Sequence, residues 1–406
     1  MKRPGGFALL LLVVALLGAC ISPPWLLYAE GAPRTSASSV KRLSDGTRGQ
    51  GRRFAVAFQE VDRWVEQKAF PGAVLAVGQH GRTIALKAFG RMDYTGHAPS
   101  MRRDELFDLA SLTKVIATTS AAAILYDRKQ LDLDAPVIQY LPEFAGVEGH
   151  DQIRVRHLLT HSSGLNSRQV IWKQATDRAG VLKRVFALNL EWPPGTRAQY
   201  RDYNMIVMGE IISRITGEPL DQFVAENVFR PLGMKHTRYN PPAKWIFRTA
   251  PTEMDNTLRH QLMWGIVHDE NAYLMGGVSG HAGLFSTAKD LSAIAQMWLN
   301  GGTYKGHRIL SEATMHLFMQ RQASPSGTTR ALGWDTPGDH GFPGKLAAPT
   351  AIIHTGFTGT SIYIDPQRDA FIILLTNRVH PTRANELINQ ARPAIHTAIL
   401  SILDHD

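Results

Sequence analysis

Apolar and polar positions recur with different periods in different parts of the chain. Phe54, Phe58, Val61 and Val65 fall at helical spacing and predict an amphipathic helix that stops at Phe70-Pro71-Gly72. Two short runs, 73–77 and 83–88, then read as strands joined by a turn at His80-Gly81. The last third mirrors this start. Strands at 360–364 and 370–376 flank an Asp365-Pro366 turn, and a helix is predicted from about 385 to 403. The stretch from about 108 to 299 is mostly helical in pattern. A helix–hairpin start and a hairpin–helix finish predict one sheet built from both chain ends, with the helical middle as an inserted subdomain.

The first 53 residues follow another pattern. Lys2 and Arg3 precede an apolar run over 7–17, and Gly18-Ala19 lead into Cys20, the layout of a secretory signal. As a helix the run would span about 17 Å, short of a hydrocarbon core of about 30 Å. Leu17-Gly18-Ala19-Cys20 resembles the lipobox of bacterial lipoproteins, which implies cleavage before an acylated Cys20. Residues 1–20 are therefore expected to be a lipoprotein signal peptide. Residues 21–53, rich in Ser, Arg, Gly and Thr, are expected to be a flexible tether. The expected location is the periplasmic face of a bacterial membrane, the outer one where present, through the lipid anchor.

Composition narrows the class. With 406 residues the chain could form one large domain or two, and its 44% hydrophobic content suffices for a sizeable core. Cys20 is the only cysteine, so no intrachain disulfide is available. The net charge of +9 is spread along the chain without a basic stripe, which argues against a nucleic-acid partner.

Ser-x-x-Lys occurs at Ser38–Lys41, Ser111–Lys114 and Ser286–Lys289. The first lies in the tether, and the third reads as a helix cap at Ser286 or Thr287. Only Ser111 precedes an almost wholly apolar segment, 115–126. On a helix Lys114 would stand beside Ser111. A lysine of ordinary pKa is neutral only about 0.04% of the time at pH 7, so its use as a base needs burial to lower that pKa. A serine activated in this way is a covalent nucleophile. A second element, Pro194-Gly195-Thr196-Arg197-Ala198-Gln199-Tyr200-Arg201-Asp202, presents a phenol and a carboxylate two residues apart for a proton relay. Tyr203 next door leaves a second choice of tyrosine. The third, His354-Thr355-Gly356-Phe357-Thr358-Gly359, lies just ahead of a predicted strand, where backbone N–H groups can line an oxyanion hole.

These elements, in this order and spacing, resemble the serine β-lactamase and penicillin-binding-protein superfamily, on its class C-like branch. Arg156-His157-Leu158-Leu159-Thr160-His161-Ser162-Ser163-Gly164-Leu165 and Leu332-Gly333-Trp334 match as well. The segments 264–272 and 276–285 are similar to the penicillin-binding protein 4B group. The resemblance covers the chain from residue 54 to 406 and implies an α+β, β-lactamase/transpeptidase-like fold with a central antiparallel sheet flanked by helices. It also implies Ser111 as acylated nucleophile, Lys114 as its base and Tyr200 as relay to the leaving group. Asp202 would bond Lys114, and His354 stands where Lys is common. Gly356 would give substrate room at the strand edge, while Ser111 and Phe357 would supply the oxyanion N–H groups. No cofactor is implied.

The expected activity is acyl transfer by a covalent acyl-enzyme, of D-alanyl-D-alanine carboxypeptidase type on peptidoglycan stem peptides. The alternatives are a carboxylesterase acting on small esters, a weak β-lactamase, and a catalytically silent wall-binding lipoprotein. His157 and His161, four apart with no third ligand, are expected to be structural, and no metal site is expected. His268-Asp269-Glu270-Asn271 is either a loop at the cleft rim or a buried structural network.

Overall fold

Strands β1 (Ser44–Asp45), β2 (Gly72–Gln79) and β3 (Arg82–Gly90) open the fold, with helix α1 (Ala55–Glu66) between the first two. A computed structural model describes residues 42–404 apart from 167, 339–341 and 345. The signal segment, Cys20 and most of the expected tether lie outside the described residues. Order was expected from Phe54, but β1 already pairs in parallel with β3, and the Gln50 side chain accepts the Leu86 N–H at 2.8 Å.

The middle of the chain supplies β4 (Phe107–Asp108), α2 (Ser120–Asp127), α3 (Asp202–Thr216), β5 (Arg238–Tyr239), α4 (Glu270–Leu274), β6 (Leu284–Ser286) and α5 (Ala288–Leu299). The end supplies β7 (Ile352–Thr355), β8 (Ser361–Asp365), β9 (Ala370–Thr376) and α6 (Ile388–Leu403). The main sheet runs β1-β3-β2-β9-β8-β7, antiparallel except at β1. The predicted union of the two chain ends is the β2–β9 pairing, with Ala370 opposite Gln79 and Thr376 opposite Ala73.

Every residue of β2 and β9 is buried, because both faces of the sheet are covered. Side chains alternate between the two faces. Ala73, Leu75, Val77, Ile372 and Leu374 pack with α1 and α6, whereas Val74, Ala76, Phe371, Ile373 and Leu375 pack with α5 and the helical middle. Each large apolar side chain so buried contributes on the order of 1.5–3 kcal/mol. Strand β7 was read from sequence only as the approach to a strand. It is itself the sheet's edge, and it carries His354. Among the described residues no helix is long and apolar enough to cross a membrane.

Candidate active site

A small sheet, β4-β6-β5, delivers the chain to Ser111. The turn after β4 is tight: Ala110 takes φ +46°, a left-handed conformation that a β-carbon disfavours. Buried Asp108 stabilises it, accepting the Ala110 N–H at 2.8 Å and the His268 N–H at 2.7 Å. Its carboxyl is pushed up by burial. Strain held by a buried carboxylate directly before a reactive side chain is the pattern of a pre-organised site.

The residues singled out from sequence converge here. Ser111 Oγ accepts from Lys114 Nζ at 2.9 Å and from the Tyr200 hydroxyl at 2.8 Å. Lys114 is wholly buried, in wide π-helical turns that run into α2. Its Nζ also donates to the His281 carbonyl at 2.8 Å and pairs with Asp202 Oδ1 at 2.7 Å. Tyr203, the alternative tyrosine, donates to the Gln169 carbonyl and takes no part. The third Ser-x-x-Lys opens α5, where Thr287 is the cap: its side chain accepts the Asp290 N–H.

One expectation is reversed. Burial alone would lower the Lys114 pKa, but the Asp202 carboxylate and the Tyr200 contacts outweigh it and hold the pKa above the usual value. The resting lysine is therefore an ammonium. Tyr200 is pushed up by burial against the opposing pull of Lys114, so its phenol is neutral. An amine held in this form could accept a proton from Ser111 only after shedding one of its own.

His354 is buried on β7, with its ring 6.0 Å from that of Tyr200. Its Nδ1 donates to the Thr355 carbonyl at 2.9 Å. Burial, followed by the charges of Lys114 and Arg330, pulls its pKa down to about 3, so it stays neutral. The 356–360 loop is stapled to the strand that leads into Ser111. Thr358 and Thr360 hydroxyls donate to the Asp108 and Leu109 carbonyls at 2.7 and 3.0 Å. Gly356 is required there, since a β-carbon would lie 2.4 Å from the Leu109 carbonyl oxygen. Among the described residues neither the Ser111 nor the Phe357 N–H has a hydrogen-bond partner. An unpaired Ser111 N–H, and an unpaired Phe357 N–H on the loop stapled to the residues just before Ser111, are donors of the kind that can hold a tetrahedral oxyanion.

Several contributors carried no sequence signal of their own. His281 acts through a backbone carbonyl. Its imidazole bridges Ser279 Oγ and Asp269 Oδ1, each at 2.8 Å, which fixes the segment. Gly280 abuts α3 so closely that a β-carbon would meet the Met205 carbonyl oxygen at 2.0 Å. His161 lies against Tyr200, ring centroids 4.7 Å apart, and its Nδ1 faces the Arg201 and Asn204 N–H groups. It shares no ligand with His157, which caps the 155–159 helix through Nδ1. The polar run 268–271 is a network: His268 meets Glu253 at 2.8 Å, and Arg383 bridges Glu253 and Glu270.

Comparison with known proteins adds to this geometry. A family described as "Beta-lactamase" matches residues 57–395. A protein of Escherichia coli K12 named "Putative D-alanyl-D-alanine carboxypeptidase" is 32% identical over 94% of this chain and 92% of its own. An "N-acetylmuramyl-L-alanine amidase" of Bacillus subtilis 168 is 36% identical over 79% of this chain and 81% of its own. A crystal structure of a penicillin-binding-protein homologue from Caulobacter crescentus superposes with TM-score 0.69 at 20% identity, covering 86% of this chain and 97% of that one.

Proposed function

Because the chain belongs to the β-lactamase and penicillin-binding-protein superfamily of serine hydrolases, we propose that Ser111 is its acylated nucleophile and that its substrates are peptidoglycan stem peptides, cleaved as by a D-alanyl-D-alanine carboxypeptidase. The observation that carries this reading is the hydroxyl of Ser111 held between buried Lys114 and Tyr200. In the reactive form, neutral Lys114 takes the Ser111 proton as Oγ bonds to the scissile carbonyl carbon. The oxyanion forms between the Ser111 and Phe357 N–H groups. Tyr200 protonates the leaving nitrogen and is reprotonated from Lys114, which leaves an acyl-enzyme for water to hydrolyse.

Neutral His354 gives a terminal carboxylate no charge to meet. Besides Lys114, the cation at that position is Arg330, 5.5 Å from the Tyr200 ring and paired with Asp335 at 3.4 Å. The same neutral His354 favours the second reading, a carboxylesterase for uncharged acyl groups.

The test is release of D-alanine from an N-acylated peptide ending in D-Ala-D-Ala, with intact mass followed during incubation with penicillin. D-alanine release and a stable penicilloyl adduct support the peptidase. Hydrolysis of p-nitrophenyl acetate with neither of these supports the esterase. Export and anchoring, supported by the 7–17 run and Cys20, would bring the enzyme to that substrate. Palmitate labelling that persists in Cys20→Ser would refute the anchor.

A further inference from the structure

Arg392 on α6 is buried, and among the described residues no carboxylate offsets its charge. Its Nη2 donates to the carbonyls of Gly356 at 2.5 Å and Thr360 at 3.2 Å, and its Nε has no partner among the described residues. The charge beside it is another cation, Arg378. That guanidinium donates from Nε to the Phe357 carbonyl at 2.7 Å and from Nη1 to the Asn385 carbonyl at 2.7 Å. Two guanidinium groups thus stand behind one five-residue loop. Burying an unpaired charge is unfavourable by several kcal/mol before compensation, so an apolar residue would serve stability alone better.

The geometry suggests what the charge does. The Gly356 carbonyl and the Phe357 N–H are the two ends of one peptide unit. A charged donor on the oxygen draws electron density from the nitrogen end, and in a dry setting such bonds reinforce one another. Thr360 O also accepts the Gly356 N–H at 2.8 Å, which holds the preceding peptide, and the Gly356 carbonyl accepts the Gly359 N–H at 3.1 Å as well.

We propose that Arg392 is a positioning residue acting through the Gly356–Phe357 peptide, orienting and polarising the N–H that receives the negative charge of the tetrahedral intermediate. This rests on Phe357 supplying an oxyanion donor, as the proposed function requires. Arg392 touches no reacting atom. It makes a neutral amide a stronger donor, and so stabilises the developing anion through the peptide.

The test reads the carbonyl itself. An acyl-enzyme formed with a substrate ¹³C-labelled at the acyl carbon is examined by infrared difference spectroscopy in the parent, Arg392→Met and Arg392→Lys. In Arg392→Met the acyl carbonyl stretch is expected at higher wavenumber, with the acylation rate about tenfold or more below the parent at little change in KM. Arg392→Lys, which keeps a charge, should recover part of both. Removing a buried guanidinium can unseat α6, so Arg392→Gln is the further variant. It retains an N–H donor without charge and should show an intermediate shift. A carbonyl frequency and acylation rate equal to the parent's in every folded variant would overturn the inference. Absence of any acyl-enzyme in the parent would instead overturn the nucleophile reading beneath it.

Discussion

Ser111→Ala is expected to abolish covalent labelling by a fluorophosphonate or by fluorescent penicillin, and to lower turnover by about a thousandfold or more. The melting temperature should stay within about 4 °C of the parent's. The two halves of this prediction have separate causes. The proposed chemistry needs the hydroxyl, because among the described residues no other group accepts from both Lys114 and Tyr200. Stability does not depend on it, since Lys114 keeps Asp202 and the His281 carbonyl and no buried charge is stranded. Labelling that survives in the variant would place the nucleophile elsewhere.

The second large effect concerns Lys114. Lys114→Met should lower the acylation rate by about a thousandfold, as removal of the group that takes the serine proton does in comparable sites. Asp202 is left without its partner, but its side chain is 41% exposed and can be hydrated. Asp202→Asn isolates the electrostatics. Removing the carboxylate takes away the leading influence that raises the Lys114 pKa, leaving burial to lower it. The neutral amine then appears at lower pH. The acid limb of the acylation profile, which rises as Lys114 loses its proton, should therefore move to lower pH. A limb that stays in place would show that Lys114 is not the group that titrates.

How much of this was legible in the chain depends on the kind of signal. The hairpins declared themselves because β2 and β9 are faced by apolar layers on both sides, so their apolar runs are unbroken. Strand β1 was missed because it is two exposed residues held mainly by pairing with β3. Strand β7 was missed because four residues at an edge look like a loop before a strand. Ser111, Lys114 and Tyr200 could be proposed from side-chain chemistry and order along the chain. The sign of the Lys114 shift could not, since it depends on whether Asp202 reaches Nζ, a matter of ångströms. Main-chain partners such as the His281 carbonyl are invisible in principle, because every residue carries one. Arg392 was invisible for another reason: an arginine in a helix normally reads as a solvated charge, and its burial follows from the packing of α6 against the sheet.

The β2–β9 pairing joins residues nearly three hundred positions apart. Such distant contacts form late and slowly, because most of the loop entropy must be lost before they contribute. Ser111, Lys114 and the Phe357 N–H all lie within the loop that this pairing closes. A chain that ends before residue 370 would hold all three but lack the strand that ties the 356–360 loop and β7 to the start of the sheet. The two halves of the proposed site are thus held at their working separation only once the closing strand has been made and paired.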